Sequence, residues 1–421
     1  MRMHAFGRLL PLPTARSRLE RSVAPISRTD EVGLDAAFSR VAARTVRSRR
    51  PIPPADRATW DGYALRSADT LGASRTRPVR LAIVGELFAE QSFSGRLSRG
   101  ECVAIATGAA VPPGADAVAI FEEVERSRSS IVLRSPVARG DRIAERGHDL
   151  PAGSVLVKAG ERIGPPGLGA LAACGFATVR VYARPVVAIV PNGNELVLPK
   201  ESPRAGAIYE SNVAPLAAVV TAAGALPQAY PPVRDDPGRL EAALRRALRQ
   251  SDLVLATGGS SVGERDLLPK VLPRLGRLLF HGIAVRPGKP TLAARAGTKL
   301  LVGLPGHPAS CLSNMYWLVL PVLRRLARQP GPGWKERTAV LAGPTLEPSE
   351  SLATVIPLEV RGDRVRSTFR GSSAITSLRA ASGFAILSAG SRPVRPGARL
   401  GFFELDPPLG SGEAAPTPRN D

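Results

Sequence analysis

One stretch constrains the fold of this chain more than any other. The apolar run LVLA at residues 253–256 is followed directly by TGGSSVG at residues 257–263. A short apolar run bounded by turn residues is typical of a buried strand. The glycines after it have no Cβ atoms, so their backbone can approach a ligand, and consecutive N–H groups in such a loop can hold an anion. The pattern therefore predicts a strand that ends in a phosphate-binding loop.

Two more loops of turn residues follow apolar runs further along the chain, RPGKP at 286–290 and LPGHP at 304–308. Either loop alone is ordinary turn chemistry. In an open parallel sheet, however, the loops that leave the carboxyl ends of neighbouring strands meet in one crevice. The sequence therefore predicts one site that contains the phosphate-binding loop, Arg286, Lys289 and His307.

The same loops disfavour two common classes of nucleotide enzyme. The spacing Gly-x-x-x-x-Gly-Lys-Ser/Thr is absent from the chain, and no Gly-x-Gly-x-x-Gly opens a helix. Ordinary P-loop kinases and dinucleotide-dependent dehydrogenases are therefore disfavoured.

Length and composition predict a multidomain protein without a membrane partner. A chain of 421 residues is too long for one ordinary core and predicts two to four domains. The longest apolar run in its centre, residues 213–226, is interrupted by Pro215, Thr221 and Gly224 and is too short to span a bilayer. The three cysteines lie far apart and form no Cys-x-x-Cys pair, which predicts a reducing, cytoplasmic location.

The net charge of +21 raises the question of nucleic-acid binding. The basic residues are spread over every segment, and few aromatic residues accompany them as stacking platforms for single strands. The chain has 51 arginines and only six lysines, which indicates a general arginine bias. We therefore predict no specific nucleic-acid partner. The bias also makes Lys289 informative, since a compact point charge differs chemically from a planar fork.

The pattern along the chain predicts a multidomain α/β protein. Residues 14–50 are predicted to be helical, and residues 79–132 to form short strands. After residue 184, strands alternate with helices, which argues for a doubly wound sheet. Beyond a linker at 329–333, short β-type runs predict a small barrel or sandwich, followed by a disordered tail from Pro407. The predicted domains are a linking α+β domain at 1–51 and 143–183, a β-rich insertion domain at 52–142, the α/β domain at 184–330 and a C-terminal β-barrel at 336–408.

Apolar runs and helical spacing also predict individual elements. The predicted strands are 79–84, 117–121, 178–181, 186–190, 253–256, 278–285, 291–294 and 300–304. The predicted helices in the α/β region are 212–223, 240–249 and about 309–328.

Seven motifs, in this order along the chain, resemble those of the molybdopterin molybdenumtransferases. The motifs are Asp61-Gly62-Tyr63-Ala64, Thr107-Gly108-Ala109, Arg146-Gly147 before Asp149, Asn192-Gly193-Asn194-Glu195-Leu196, the glycine-rich loop with Asp266, Pro287-Gly288-Lys289-Pro290 and Leu304-Pro305-Gly306-His307-Pro308. The resemblance runs from about residue 15 to residue 405. The eukaryotic counterpart of this family is the C-terminal domain of gephyrin.

The resemblance implies an elongated homodimer of four-domain subunits, whose α/β domain is similar to the molybdopterin adenylyltransferase fold. It implies insertion of molybdate or tungstate into adenylylated molybdopterin, with Mg²⁺ and with release of AMP. The implied catalytic residues are Asp61, Glu195, Asp266 and Lys289. The implied cofactor-binding residues are Thr107, Gly258, Gly259, Ser260, Ser261, Gly263, Arg286, Pro305, Gly306, His307 and Pro308. The implied metal ligands are Asp149, Asp235 and Asp236. The resemblance also implies that Asp61 and Thr107 reach the site from the second subunit.

These residue types suit that chemistry. The substrate carries a pyrophosphate that joins AMP to the pterin, and backbone N–H groups of residues 258–263 would hold phosphate. Arg286 and Lys289 would bind molybdate or neutralise the leaving charge. Carboxylates would hold Mg²⁺, position water or move protons. Asp235 and Asp236 also lie where a helix N-terminus favours an acid, so a capping role stays open for them.

Three positions depart from the commonest family pattern. Asn194 stands where the family usually has an aspartate, Arg286 where it usually has a lysine, and His307 where asparagine is frequent. The lost acid affects metal binding, and the arginine changes oxyanion geometry. His307 is interpreted as a neutral hydrogen-bonding substitute for asparagine. Two other functions stay open from the sequence: a molybdopterin adenylyltransferase and a non-catalytic molybdopterin-binding scaffold.

Overall fold

The computed structural model describes residues 8–261, 263 and 266–405. The chain divides into two compact units, Glu31–Val181 and Met1–Asp30 with Tyr182–Asp421. The tail from Pro407, predicted to be disordered, lies outside the described residues. Within the described ranges, no helix is both long and apolar enough to cross a membrane.

The larger unit is built around a six-stranded α/β sheet. Its strands, in spatial order, are Leu226–Ala229, Val186–Pro191, Leu253–Thr257, Lys299–Leu304, Leu292–Ala296 and Arg277–His281. The first four are parallel, Leu292–Ala296 is antiparallel to them, and Arg277–His281 pairs antiparallel with Leu292–Ala296. This mixed sheet confirms the predicted doubly wound architecture.

Both faces of this sheet are covered by helices, which explains its continuous apolar strands. In the strand Val186–Pro191, Val187 and Ile189 pack into one core and Ala188 and Val190 into another. Helix Val213–Ala222 belongs to the first core, and helices Pro237–Gln250 and Leu268–Leu275 belong to the second.

The chain path places a crevice at the carboxyl end of the central strands. From Val186–Pro191 the chain crosses to Leu226–Ala229 on one side, and then to Leu253–Thr257 on the other side. The loops that leave Val186–Pro191 and Leu253–Thr257 therefore diverge. Ligands of open α/β sheets bind at such a switch point.

Two predicted elements in this unit are wrong in detail. The predicted strand 278–285 ends at His281, because Gly282 takes a φ of +94° and Val285–Arg286 pairs instead with Ala353–Arg361. The predicted helix 309–328 is interrupted: Pro308–Asn314 and Leu320–Leu326 flank a π-helical turn at Met315–Val319. Pro321 explains the wider turn, because it lacks the N–H that a regular helix needs there.

The C-terminal strands pair in a closed circuit. In order around the circuit they are Trp334–Leu341, Arg364–Ser367, Ala353–Arg361, Gly383–Leu387 and Arg399–Leu405, which pairs again with the first. A short helix, Thr376–Arg379, precedes the fourth strand. Trp317 of the π-helical turn packs against Trp334, Phe384 and Phe403 and so joins these strands to the α/β core.

The unit Glu31–Val181 contains a second six-stranded sheet, with a buried apolar cluster on each face. Its strands, in spatial order, are Ala117–Ile120, Gly62–Leu65, Glu101–Ile105, Val79–Leu87, Ser130–Leu133 and Val124–Arg126. Tyr63 and Leu65 pack into one core and Ala64 into another. Smaller antiparallel pairs are Arg57–Ala58 with Ile143–Ala144 and Val46–Arg47 with Val155–Val157. Helix Pro165–Ala173 and then strand Thr178–Tyr182 follow along the chain.

The prediction of a helix over residues 14–50 is wrong beyond its first part. The structure has helices only at Leu12–Glu20 and Leu34–Ala37, with strands Thr29–Gly33 and Val46–Arg47. The apolar residues after Gly33 are loosely spaced and pack by tertiary pairing. Ala42, for example, bridges to Val181 and lies in a core with it.

Candidate active site

Loops from three neighbouring parallel strands line one cavity of about 780 Å³ in the larger unit. They follow Val186–Pro191, Leu253–Thr257 and Lys299–Leu304. The predicted site residues in the lining are Glu195, Asp235, Gly258, Gly259, Ser260, Ser261, Asp266, Pro305, Gly306, His307 and Pro308. Residues spread over more than a hundred positions are thus brought together at the carboxyl edge of the sheet.

The glycine-rich loop needs glycine at two successive positions. Gly258 and Gly259 have φ of +84° and +55°. A Cβ atom on Gly258 would lie 2.2 Å from the Asn192 carbonyl oxygen, and one on Gly259 would lie 2.7 Å from Asn192 Oδ1. Asn192 is only 2% exposed and donates through Nδ2 to the carbonyl of Val233. The loop is therefore pressed against a rigid neighbour that excludes any side chain.

Three consecutive backbone donors of the loop have no acceptor among the described residues. Gly258 N–H donates to Leu304 O at 3.3 Å, and Gly263 N–H donates to Asp266 Oδ2 at 2.7 Å. The N–H groups of Gly259, Ser260 and Ser261 donate to no acceptor among the residues that the structure describes. Such a row of N–H groups is an anion-binding arrangement. The N–H group of Gly263, by contrast, is already hydrogen-bonded to Asp266. Val262 lies outside the described residues.

The acids predicted to bind metal occupy different environments. Asp235 Oδ2 accepts from Asn194 N–H at 3.2 Å, and Asn194 Oδ1 accepts from Asp235 N–H at 3.1 Å. Asp236 is exposed and caps helix Pro237–Gln250 by accepting from Arg239 N–H at 2.7 Å. The capping alternative therefore describes Asp236, whereas Asp235 lines the cavity. Within the described ranges, no group of three or more His, Cys, Asp or Glu residues is arranged to hold a metal.

Sequence reasoning missed a second wall of the cavity. Ile208, Tyr209, Ser211 and Asn212 line it. Glu210 is only 7% exposed, and its carboxylate accepts from the N–H groups of Asn212 and Val213 at the start of a helix. The signal was present, because Glu-Ser-Asn before an apolar helix is typical of helix capping.

The wall after the third strand is fixed to that missed segment. Asn212 Nδ2 donates to Gly306 O at 2.9 Å. A Cβ atom on Gly306 would lie 3.4 Å from Gly258 Cα, so the two loops touch through their backbones. His307 is exposed, and its Nδ1 lies 3.4 Å from Ser372 Oγ.

The loop 286–290 is anchored by a buried asparagine. Asn314 is buried and donates to Gly288 O at 2.9 Å and to Thr291 Oγ1 at 2.6 Å. Pro290 lines the cavity. Arg286 and Lys289 are exposed and lie outside its lining in this structure. Both cations nevertheless belong to the loop whose far end borders the cavity.

In the other unit, two predicted residues 46 positions apart meet. Thr107 donates to Asp61 Oδ1 through its backbone N–H at 2.7 Å and through its hydroxyl at 2.9 Å. The strand register explains the contact, because Gly62 lies opposite Ile105. The backbone bond from Thr107, followed by its hydroxyl bond, lowers the pKa of the Asp61 carboxyl. Asp149, predicted as a metal ligand, is exposed in the same unit.

Comparisons with known proteins identify the family. Residues 10–175 match the MoeA N-terminal region (domain I and II), and residues 188–325 match the probable molybdopterin binding domain. The molybdopterin molybdenumtransferase of Bacillus subtilis is 34% identical over 86% of this chain and 87% of its own length. That of Staphylococcus aureus is 31% identical over 70% of this chain and 71% of its own.

Solved structures agree with this assignment. A crystal structure of the molybdopterin biosynthesis protein moeA from Pyrococcus horikoshii has a TM-score of 0.84 and 34% identity over 94% of this chain and 99% of that one. A second one has a TM-score of 0.79 and 27% identity over 94% and 100%. The chain belongs to the molybdopterin molybdenumtransferase family, which confirms the resemblance drawn from its motifs.

Proposed function

We propose that this chain inserts molybdate into adenylylated molybdopterin and releases AMP, completing molybdenum cofactor biosynthesis. One observation carries the proposal within this family: the consecutive N–H groups of Gly259, Ser260 and Ser261 lie in the cavity wall and donate to no acceptor in the part of the chain that the structure describes. Backbone dipoles fixed before the ligand arrives stabilise phosphate charge without reorganisation. The pyrophosphate of the substrate is the group they would hold.

Cations and carboxylates complete the proposed chemistry. Arg286 and Lys289 would bind the incoming molybdate or tungstate and neutralise charge as AMP leaves. Glu195 is exposed at the cavity and would position water or move a proton there. Both residues are exposed and lie in the loop whose far end, Pro290, borders the cavity.

One or two carboxylates of the cavity would hold Mg²⁺ together with the substrate. Asp266, Asp235 and Glu195 line the cavity without forming a three-acid cluster among the described residues, and Mg²⁺ needs only one or two carboxylates when water and phosphate supply the rest of its shell. When bound, Mg²⁺ would neutralise pyrophosphate charge. Asp235 Oδ2 already accepts from Asn194 N–H, which restrains this carboxylate.

The Asp61 and Thr107 pair belongs to this function through a homodimer. We propose that the pair faces the α/β cavity of a second subunit, as the family resemblance implies. An ionised Asp61 held by two donors from Thr107 is ready to position water or a metal there. Four domains with the boundaries given above and a cytoplasmic location complete the proposal.

AMP release tests the proposal directly. Purified protein is incubated with adenylylated molybdopterin, molybdate and Mg²⁺, and AMP is measured by chromatography. We expect AMP and molybdenum-loaded molybdopterin in equal amounts. Bound substrate without AMP release would refute the catalytic assignment. ATP consumption with free molybdopterin would instead indicate an adenylyltransferase.

The three departures from the family pattern favour one second candidate, a non-catalytic molybdopterin-binding scaffold. Asn194 supplies one acid fewer, and Arg286 and His307 change the polar groups of two loops. Complementation of a bacterial strain that lacks the transferase separates the two functions. Growth dependent on a molybdenum enzyme supports the transferase, and binding without complementation supports the scaffold.

A further inference from the structure

His281 contacts the glycine-rich loop from outside the cavity lining. It is the last residue of the edge strand Arg277–His281 and is half-buried. Its Nε2 atom lies 3.2 Å from the carbonyl oxygen of Ser260. A carbonyl oxygen can only accept, so Nε2 carries the proton in this hydrogen bond. The contact therefore selects the Nε2–H form of the ring.

This hydrogen bond controls the direction of a neighbouring donor. In a planar trans peptide, the carbonyl oxygen of one residue and the N–H of the next point in opposite directions. The Ser260 carbonyl is held by His281, and the Gly259 carbonyl accepts from Leu268 N–H at 3.0 Å. The N–H groups of Ser261 and Ser260 consequently point away from those two anchors. Both serines line the cavity.

We propose that His281 is a positioning residue that holds the Ser260–Ser261 peptide with its N–H toward a bound phosphate group. This inference rests on the proposed function only in that the ligand carries phosphate. Without the imidazole donor, the peptide can rotate and present its carbonyl oxygen to the anion. After that rotation, a carbonyl oxygen that repels the anion stands where an N–H group attracted it. Ser260 is 3% exposed, so little water reaches its carbonyl to replace the lost partner.

Three substitutions of His281 separate positioning from simple packing. His281→Leu removes the donor and keeps an apolar side chain. His281→Gln keeps an N–H donor at a similar distance from the backbone as Nε2. His281→Asn also keeps a donor, but its shorter side chain places that donor further from the Ser260 carbonyl. The probe is inorganic pyrophosphate, titrated by calorimetry into the full chain. A hydrogen bond that acts on a charged ligand is worth roughly tenfold to hundredfold in binding.

We expect His281→Leu and His281→Asn to raise the pyrophosphate Kd by about tenfold or more, and His281→Gln to recover most of the wild-type affinity. Arg277→Leu, on the same strand, serves as the matched control and should bind normally. Unfolding temperatures identify any variant that fails to fold. If His281→Leu unfolds, His281→Asn against His281→Gln carries the comparison.

Two results would overturn the inference. One is wild-type affinity in folded His281→Leu or His281→Asn, and the other is no pyrophosphate binding by the wild-type chain. The proposed function is judged separately by AMP release. A chain that binds pyrophosphate through His281 but releases no AMP keeps the positioning role and loses the transferase role. For an active chain, His281→Leu should raise KM for adenylylated molybdopterin more than it lowers kcat.

Discussion

The glycine-rich loop and the segment that we call the Asp61 loop, Asp61-Gly62, each contain a glycine whose Cα lies close to a neighbouring backbone. A Cβ atom on Gly258 would lie 2.2 Å from the carbonyl oxygen of Asn192, and one on Gly62 would lie 2.0 Å from that of Ala119. Gly258 also needs a left-handed backbone, whereas Gly62 does not. The first loop offers neutral N–H donors to a ligand, and the second uses donors of its own to hold a charge.

This difference teaches how each region prepares for chemistry. In the glycine-rich loop, the carbonyl groups of Gly259 and Ser260 accept from Leu268 and His281, so the N–H groups of the residues that follow point away from these two partners. In the Asp61 loop, two donors from Thr107 are already satisfied by the carboxylate. The first region is suited to receive negative charge. The second is suited to present it to water, a proton or a metal.

The largest expected effect tests whether the two regions form one site. Asp61→Asn and Lys289→Ala should each lower AMP release by about a hundredfold or more, because each removes a charged group from the reacting centre. Mixing the two inactive variants should restore activity. In a symmetric dimer with random subunit exchange, about a quarter of all sites would carry neither lesion.

Matched controls show whether these losses are specific. Glu90→Gln and Lys200→Ala replace exposed charges of the same types and should leave AMP release unchanged. Unfolding temperatures of all four variants should match that of the wild type. Exchange of subunits without any return of activity would contradict a shared site and make the Asp61 loop structural.

The next effect is on stability. Gly258→Ala should lower the free energy of unfolding by about 3–5 kcal/mol, because it adds a backbone clash to an unfavourable φ. Gly297 has a φ of +61°, and the Cβ atom that Gly297→Ala adds would have no atom within 4 Å. This variant should lose only about 1 kcal/mol. Urea unfolding measures both, and equal losses would show that the contact with Asn192 relaxes freely.

A smaller effect concerns the Asp61 carboxyl. Thr107→Val removes the hydroxyl donor but keeps the stronger backbone bond, so the lowered pKa of Asp61 should rise only part of the way. The pKa of Asp61 in the folded protein lies below its ordinary value, so the ionised carboxyl stabilises the folded state at pH values above the unfolded-state pKa. This contribution is lost as pH falls through the folded-state pKa. Carboxyl NMR titration in the acidic range measures the shift. Thr107→Ser should leave the pKa of Asp61 nearly unchanged. If Thr107→Val returned this pKa fully to its ordinary value, the backbone hydrogen bond would not contribute to the shift.

The smallest effect concerns Asn194→Asp. Asp235 N–H donates to Oδ1 of Asn194, and an aspartate keeps that acceptor. Stability should therefore change by no more than about 0.5 kcal/mol. The added carboxylate should lower the Mg²⁺ concentration for half-maximal AMP release by a few fold. A higher Mg²⁺ requirement would mean that repulsion from Asp235 outweighs the gained ligand.

Sequence patterns predicted the elements whose signals are local. The apolar run before Gly258 and the turn residues after it were enough to place a strand and its loop. Helix Pro237–Gln250 was also predicted, because Leu240, Leu244 and Ala247 repeat at helical spacing and become buried. The interruption at Met315–Val319 was missed, since a continuous apolar pattern outweighed Pro321.

Long-range contacts could not be predicted from the same patterns. Local signals mark the start of the helix at Asn212, but only its hydrogen bond to Gly306, 94 positions away, places Asn212 in the cavity wall. His281 acts on Ser260 only because an edge strand ends beneath the loop. The meeting of Asp61 with Thr107 depends on strand register, and the sequence offered it only through family resemblance.

The tryptophan distribution gives the chain two separate optical reporters. Trp317 and Trp334 are buried with ring centroids 5.2 Å apart in the unit that contains the cavity. Trp60 is 58% exposed in the other unit, one residue before Asp61. Indole emission shifts to longer wavelength in water, so heating should first be visible as loss of blue emission when the aromatic cluster opens. The red emission of Trp60 can meanwhile report binding near Asp61 in unlabelled protein.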